Sequence, residues 1–228
     1  MKIWLSFSGG KDSILTLDAL NSQGLPVEGA LVTISLPYRR ITMHGIQEEL
    51  ILRQTQALGL KCHFHYIPEG ASNEEYVQSY REAVQQLIAE EDLTHLAFGD
   101  IFLEDLRQFR EQMLSDLPVS LMFPLWGQDT RQLAELFINK GFKAYVVAVM
   151  EPPLDKSFVG KPFNKEFLTQ LPAGVDPCGE RGEFHSFVYE GYLFKEPVSI
   201  KITENVKTVE YSSSKVHMVE VLPSQGSS

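Results

Sequence analysis

The chain has 228 residues, 43% of them hydrophobic, with a formal charge of -10 and a sequence pI of about 5.1. That length can bury one large core or two small ones, while the acidic balance disfavours nucleic-acid backbones and anionic membranes as partners. Two cysteines, Cys62 and Cys178, far apart in sequence, supply neither a disulfide framework nor a C-x-x-C metal or redox site. The start, Met1-Lys2-Ile3-Trp4-Leu5, does not read as a signal peptide, and no apolar run reaches the ~18–20 residues of a membrane span. The expectation is a cytoplasmic protein with no membrane partner.

Short apolar runs alternate with longer stretches of helical period. Residues 3–7 read as a first strand, followed by a Gly-Gly turn and a helical face of Ile14, Leu15, Leu17 and Leu20. Residues 30–34 make a second strand, and Ile46, Leu50, Ile51, Ala57 and Leu58 mark the next helix. A third strand over 62–67 precedes an amphipathic stripe through Tyr76, Tyr80, Val84 and Leu87. A fourth strand over 95–98, a helix over about 104–115 and a fifth strand over 119–123 complete the series. Strands alternating with helices predict an α/β fold, a parallel five-stranded Rossmann-like sheet with helices on both faces. Ligands of such sheets sit beyond the carboxyl ends of the strands, so residues 8–13 and the pair Gly99-Asp100 should meet on one rim. From Pro124 the pattern changes: a helix over about 130–140, a strand over 142–150, and short strands near 187–189, 198–202 and 216–221. This predicts an α/β domain over 1–125, the part that would carry a bound ligand, and a smaller α+β part over 126–228, with a frayed tail from Pro223.

The loop Ser8-Gly9-Gly10-Lys11-Asp12-Ser13 leaves a strand and enters a helix. Two glycines allow positive φ and a close backbone approach to a ligand, and a helix start favours an anion. Ser8 and Ser13 add hydroxyl donors and Lys11 a full charge. Charge-assisted bonds of about 1.5–3 kcal/mol each can together hold a pyrophosphate group. Asp12 suits a helix start, or a group that reaches Mg²⁺. The spacing is not that of a Walker A loop, which argues against γ-phosphate transfer. Further along, Asp176, Glu180, Glu183 and His185 fall within ten positions, in a loop broken by Pro177, Gly179 and Gly182. Such a cluster suits either catalysis or a solvated acidic turn. A strand would put Glu183 and His185 on one face.

The loop at Ser8–Ser13 resembles the signature of the N-type ATP pyrophosphatases (adenine nucleotide alpha hydrolase-like), which include amidating synthetases and tRNA-modifying enzymes. The stretch Gly174-Val175-Asp176-Pro177-Cys178-Gly179-Glu180-Arg181-Gly182-Glu183-Phe184-His185-Ser186-Phe187 resembles the hallmark of the diphthine–ammonia ligase family. Pro124-Leu125-Trp126-Gly127, Met43-His44-Gly45 and Gly99-Asp100-Ile101 match that family too, and the resemblance runs from about residue 2 to 195. It implies ATP and Mg²⁺ as cofactors, with a carboxylate-bearing acceptor (protein side chain or small molecule) and ammonia as partners. The implied products are an amide, AMP and pyrophosphate.

The resemblance also implies roles. Ser8, Gly9, Gly10, Lys11, Asp12, Ser13 and Gly99 would bind the nucleotide, Asp12 and Asp100 the metal, and Lys11 would offset charge on the departing pyrophosphate. Glu183 and His185 are the candidates to deprotonate ammonium, with Glu180 at a metal or the substrate. Thr33 and Ile34 lie where the superfamily receives adenine, or are plain core. His44 contacts ATP or caps a helix. Cys178 and the pair His63 and His65 read as structural. The family's archaeal and eukaryotic members carry a Tyr-Gln-Arg-like stretch where this chain reads Ile101-Phe102-Leu103-Glu104-Asp105-Leu106-Arg107-Gln108. The chemistry therefore carries over further than the acceptor does. A tRNA-modifying pyrophosphatase would call for a basic face, a non-catalytic ATP-binding regulator for binding without AMP, and a homodimer is one arrangement left open.

Overall fold

The structure is a computed structural model that describes residues 1–42, 44–211 and 214–224. In chain order it runs β1 (Ile3–Ser6), α1 (Lys11–Ser22), β2 (Val27–Ser35), β3 (Arg40–Ile41), α2 (Glu48–Leu58), β4 (Lys61–Ile67), α3 (Asn73–Glu91), β5 (His95–Ala97), α4 (Glu104–Met113) and β6 (Ser120–Met122). There follow α5 (Thr130–Asn139), β7 (Lys143–Glu151), a 3₁₀ turn (Lys156–Phe158), α6 (Lys165–Gln170), β8 (Phe184–Glu190), β9 (Ile200–Tyr211) and β10 (Ser214–Pro223).

Five strands are parallel in the order β4-β2-β1-β5-β6, as the alternating pattern predicts, and the two-residue β3 adds an antiparallel partner to the end of β2. β1 is central and covered on both faces, so Ile3, Trp4 and Leu5 are all buried and the strand reads as a continuous apolar run. Local signals fix the helices. Ser72 and Glu75 form a reciprocal capping box at the start of α3, with bonds of 3.2 and 2.7 Å. Gly59 ends α2 in the left-handed region. After β4 the chain crosses back through α3 to the other side of β1. The topological switch thus falls between β1 and β5, where the loops after Ser6 and Ala97 open.

The C-terminal part is a four-stranded antiparallel sheet, order β8-β7-β10-β9. Two of its features differ from the sequence reading. α6 has only six residues, too few for a visible period. The strand expected over 198–202 extends to Tyr211 and pairs along β10, because residues 204–210 of β9 are exposed and carry no apolar alternation. Pro223, where fraying was expected, pairs with Ile200; the tail beyond Ser224 lies outside the described residues.

One buried apolar cluster contains residues of both sheets, from Ile3 to Val221. At its polar centre is the carbonyl of Gly9. It accepts from the Val188 N–H (3.0 Å) and from Gln54 Nε2 (2.9 Å), and the same Gln54 nitrogen donates to Val188 O (2.6 Å). The first loop is thereby clamped between α2 and β8. Gly9 has φ +76°, and a Cβ there would lie 2.7 Å from Gln54 Oε1 and 2.8 Å from Ile51 Cδ1. Left-handed strain and overpacking act together, so Gly9→Ala should destabilise the protein by about 2–4 kcal/mol. Chemical denaturation checks this, and a loss below about 1 kcal/mol would contradict the clamp.

Candidate active site

The first loop reaches α1 through a net of local bonds. Ser8 N–H donates to Ser13 Oγ (3.1 Å), the two hydroxyls lie 3.2 Å apart, and Gly10 N–H donates weakly to Ser8 Oγ (3.4 Å). Gly10 is the N-cap of α1 and has no side chain to cap it, so the helix's first donors are left to other groups. The Lys11 N–H finds Ser186 Oγ of β8 at 3.1 Å. The Lys11 side chain is only 2% exposed. Its ammonium is paired with Asp12 (2.9 Å) and bonded to the Cys178 carbonyl, over the Phe184 ring at 5.1 Å. Burial works against that charge. Asp12, with a smaller contribution from Glu180, more than offsets it, and the Lys11 pKa is raised. The amine is therefore a fixed positive charge.

The second segment wraps around the same lysine. Asp176 braces it: Oδ1 accepts from the N–H groups of Cys178 (2.9 Å) and Glu180 (3.2 Å), and Oδ2 from the Thr130 hydroxyl (2.7 Å). Glu183 lies one residue before β8, not on it. Its carboxylate turns back to the N–H groups of Asp176 and Arg181, each at 3.0 Å, and does not line the cavity that its neighbours form. Glu180 does line it. Its Oε1 accepts from Ile101 N–H (2.7 Å) and Phe102 N–H (3.3 Å), tying this loop to the one after β5. Burial, with added repulsion from Asp12 and Asp100, pushes the Glu180 carboxyl up to about 7 despite those bonds.

Between the two segments is a cavity of about 140 Å³, bordered by Ser8, Lys11, Asp12, His44, Glu180 and His185 among others. Small-molecule sites usually enclose about 300–1,000 Å³. This one therefore has room for a phosphate-sized group, and a nucleotide would extend beyond it. His185 packs against His44, ring centroids 4.4 Å apart and the planes tilted by 38°. Burial pulls His44 down to about 4 and His185 well below the ordinary imidazole range, so both rings are neutral near pH 7. His185 Nε2 and Asp12 Oδ1 are buried and have no hydrogen-bond partner among the described residues. A neutral imidazole and a carboxylate oxygen with unmet bonding capacity fit a polar ligand. Asp12 in particular fits Mg²⁺, which characteristically takes one or two carboxylates plus substrate phosphates.

Other residues singled out in the sequence fall elsewhere. Asp100 is held by Arg110 in a two-pronged ion pair (2.6 and 3.1 Å). Gly99 lies against α1, where a Cβ would be 3.2 Å from the Asp12 carbonyl carbon. Thr33 lies 3.3 Å from His65 Nδ1, and Ile34 is buried in the core. His65 also contacts Ser79 Oγ at 2.9 Å, the bonding of a structural strand residue. Cys178 donates to Thr130 O (3.2 Å), and burial pushes its thiol far up, so it is not a thiolate. Met43 lies outside the described residues. Among the described residues no group of three or more His, Cys, Asp or Glu side chains could hold a metal unaided, and no helix is long and apolar enough to cross a membrane. Sequence reasoning missed Gln54 and Ser186. Gln54 carried one signal, a polar residue on the buried face of α2 beside Leu50 and Ile51.

Fold and site together define a class: a doubly wound α/β protein whose Gly-Gly first loop, at the topological switch point, is closed over by a loop from a second, antiparallel sheet. Comparison with known proteins narrows this. The family described as "Diphthamide synthase C-terminal domain" matches residues 129–219. Diphthine–ammonia ligase of Bos taurus is 25% identical over 57% of this chain and 51% of its own length. That of Schizosaccharomyces pombe is 24% identical over 97% of this chain and 39% of its own, and that of Danio rerio 25% over 90% and 89%. The chain thus spans about half the length of the cattle relative and about two fifths of the yeast one. Among solved structures, the U34-tRNA thiolase of Methanococcus maripaludis is 17% identical over 60% of this chain and 56% of its own, with a TM-score of 0.38. The resemblance to diphthine–ammonia ligases read from the two motifs is borne out by these sequence matches.

The Glu180 pKa has a consequence for folding. Between its ordinary value of 4.5 and about 7, the folded protein keeps a proton that the unfolded chain has released. Stability should therefore fall as pH rises through that window. Glu180→Gln, which cannot ionise, should lose this slope, so its denaturation midpoint relative to the unsubstituted chain rises from pH 4.5 to pH 8. Equal slopes in the two proteins would contradict the shift.

Proposed function

We propose that this chain is an ATP-dependent ligase that adenylates a carboxylate and couples it to ammonia, releasing AMP and pyrophosphate. The observation that carries the reading is the meeting of the Ser8–Asp12 loop with Glu180, His185 and Ser186 around one cavity. Similarity to proteins named diphthine–ammonia ligase supports it.

ATP supplies the adenylyl group that turns a carboxylate oxygen into part of a good leaving group. The chain's own groups do the rest. Ser8, Gly10 and the start of α1 present donors to phosphate oxygens. Lys11, a charge fixed by burial and pairing, offsets the negative charge that builds on the departing pyrophosphate. Asp12, whose Oδ1 has no hydrogen-bond partner among the described residues, would hold Mg²⁺; Asp100 could join only by leaving Arg110. Ammonia attacks as the free amine, so ammonium must lose a proton near the acyl carbon. Glu180, poised near neutrality, is better suited to take it than the depressed imidazole of His185. His185 instead offers its unpartnered Nε2 as a hydrogen-bonding group to the acyl centre. The amine then displaces AMP, and the proton it sheds goes to solvent. An acceptor of the diphthine kind or another carboxylate is equally compatible with these groups.

Phosphorus NMR of ATP, Mg²⁺ and ammonium chloride with a panel of carboxylates checks the reaction. AMP and pyrophosphate should form in an acceptor-dependent way, with kcat rising through about pH 7. Glu180→Gln should cost about 10²–10³ in kcat with ATP affinity little changed. ADP as the product, or full activity in Glu180→Gln, would contradict the assignment.

A further inference from the structure

A side chain at Gly10 would project among three polar atoms from three separate segments. Its Cβ would lie 3.1 Å from the Ser186 carbonyl oxygen of β8, 3.4 Å from Ser8 Oγ and 3.5 Å from His44 Nε2. All four residues border the catalytic cavity. Gly10 has φ -85° and ψ 174°, an extended conformation open to any residue. Its backbone does not call for glycine, so what the missing side chain provides is space.

Each of the three atoms can accept a hydrogen bond at this point. His44 Nδ1 lies 3.2 Å from the Thr42 carbonyl, which can only accept, so the ring proton is on Nδ1 and Nε2 keeps its lone pair. Burial holds the ring neutral, with its pKa down at about 4. Opposite Ser186 on β7, Val146 donates to Lys161 O (2.8 Å) and accepts from the Gly160 N–H (2.7 Å). The two residues therefore face away from each other, and the Ser186 carbonyl turns toward the first loop, on the edge where the Val188 N–H meets Gly9 O. Ser8 Oγ has lone pairs to offer while its own proton remains for a phosphate oxygen.

Three converging acceptors call for a ligand with at least three N–H or O–H donors. Phosphate oxygens bring none and water only two, whereas ammonia has three and ammonium four. Lys11, Asp12 and Glu180 border the same cavity, so its charge is mixed, and the count of acceptors rather than net charge selects the ligand. A molecule the size of water takes about 30 Å³, a small part of the cavity's 140 Å³. We propose that His44 Nε2, the Ser186 carbonyl and the Ser8 hydroxyl form the ammonia subsite of the ligase, kept open by the absent side chain of Gly10. Because His44 packs against His185, ammonia held here stands next to the group assigned to the acyl centre. The assignment rests on the ligase reading for its purpose but is tested by binding alone.

The probe is ammonium chloride, with potassium chloride at equal ionic strength as the control, and the readout is nitrogen NMR of the histidine rings, with His44 assigned through His44→Gln. In the unsubstituted protein, His44 Nε2 should move upfield saturably with ammonium chloride and stay in place with potassium chloride. Gly10→Ala should abolish the movement, and Ser8→Ala should weaken binding about threefold to tenfold, the value of one hydrogen bond. The rings of His65, His95 and His217, none of which borders the cavity, report whether each variant keeps its fold; if Gly10→Ala disturbs them, Ser8→Ala decides. No saturable movement, equal movement with potassium, or unchanged binding in a folded variant would each overturn the proposal. If ammonium binds as expected but no carboxylate ever supports AMP formation, the ligase reading fails and the ammonia site stands. If AMP forms with ammonium while His44 stays in place, the reverse holds.

Discussion

The ammonium of Lys11 holds the site together. It is buried against Asp12 on its own helix and the Cys178 carbonyl of the second segment, with an aromatic ring beneath it. A buried charge is tolerated only when paired and hydrogen-bonded, so the loop after β1 and the loop before β8 are obliged to meet at this residue. The neighbouring clamp on the Gly9 carbonyl fixes the same two parts of the chain through neutral hydrogen bonds. Nucleotide chemistry at such a point cannot involve one sheet alone. Any anion that draws on Lys11 competes with Asp12 and Cys178 for it, and so acts on the second segment as well.

Desolvation then sets the acid–base character of the surroundings. The same burial that raises Glu180 to about 7 drives His44 and His185 to their neutral forms. Charged carboxylates are disfavoured by one another and charged imidazoles by Lys11, so the cavity holds a single firm positive charge beside groups that titrate near or below neutrality. This is the electrostatic arrangement that a departing pyrophosphate and an attacking neutral amine both require.

Much of the fold was legible because it obeys simple periods. Continuous apolar runs at β1 and β2 and the stripe through Tyr80, Val84 and Leu87 mark buried strands and a half-buried helix. β9 was legible only at its start, since a strand exposed over 204–210 writes no alternation. In the site, Ser8, Gly10, Lys11, Asp12, His44, Glu180 and His185 come together as their motifs suggest. Glu183 shows the limit of spacing arguments. Two residues from His185, it would share a strand face, but β8 begins at Phe184 and the carboxylate is spent on backbone N–H groups. Gln54 and the Asp100–Arg110 pair depend on tertiary approach, which no local pattern encodes.

That one lysine joins two distant segments is tested most directly by hydrogen exchange with and without ATP and Mg²⁺. The account predicts altered amide protection in residues 8–13 and, in the same titration, in residues 176–186. A change confined to residues 8–13 would contradict it, because the second segment would then not be part of the nucleotide site.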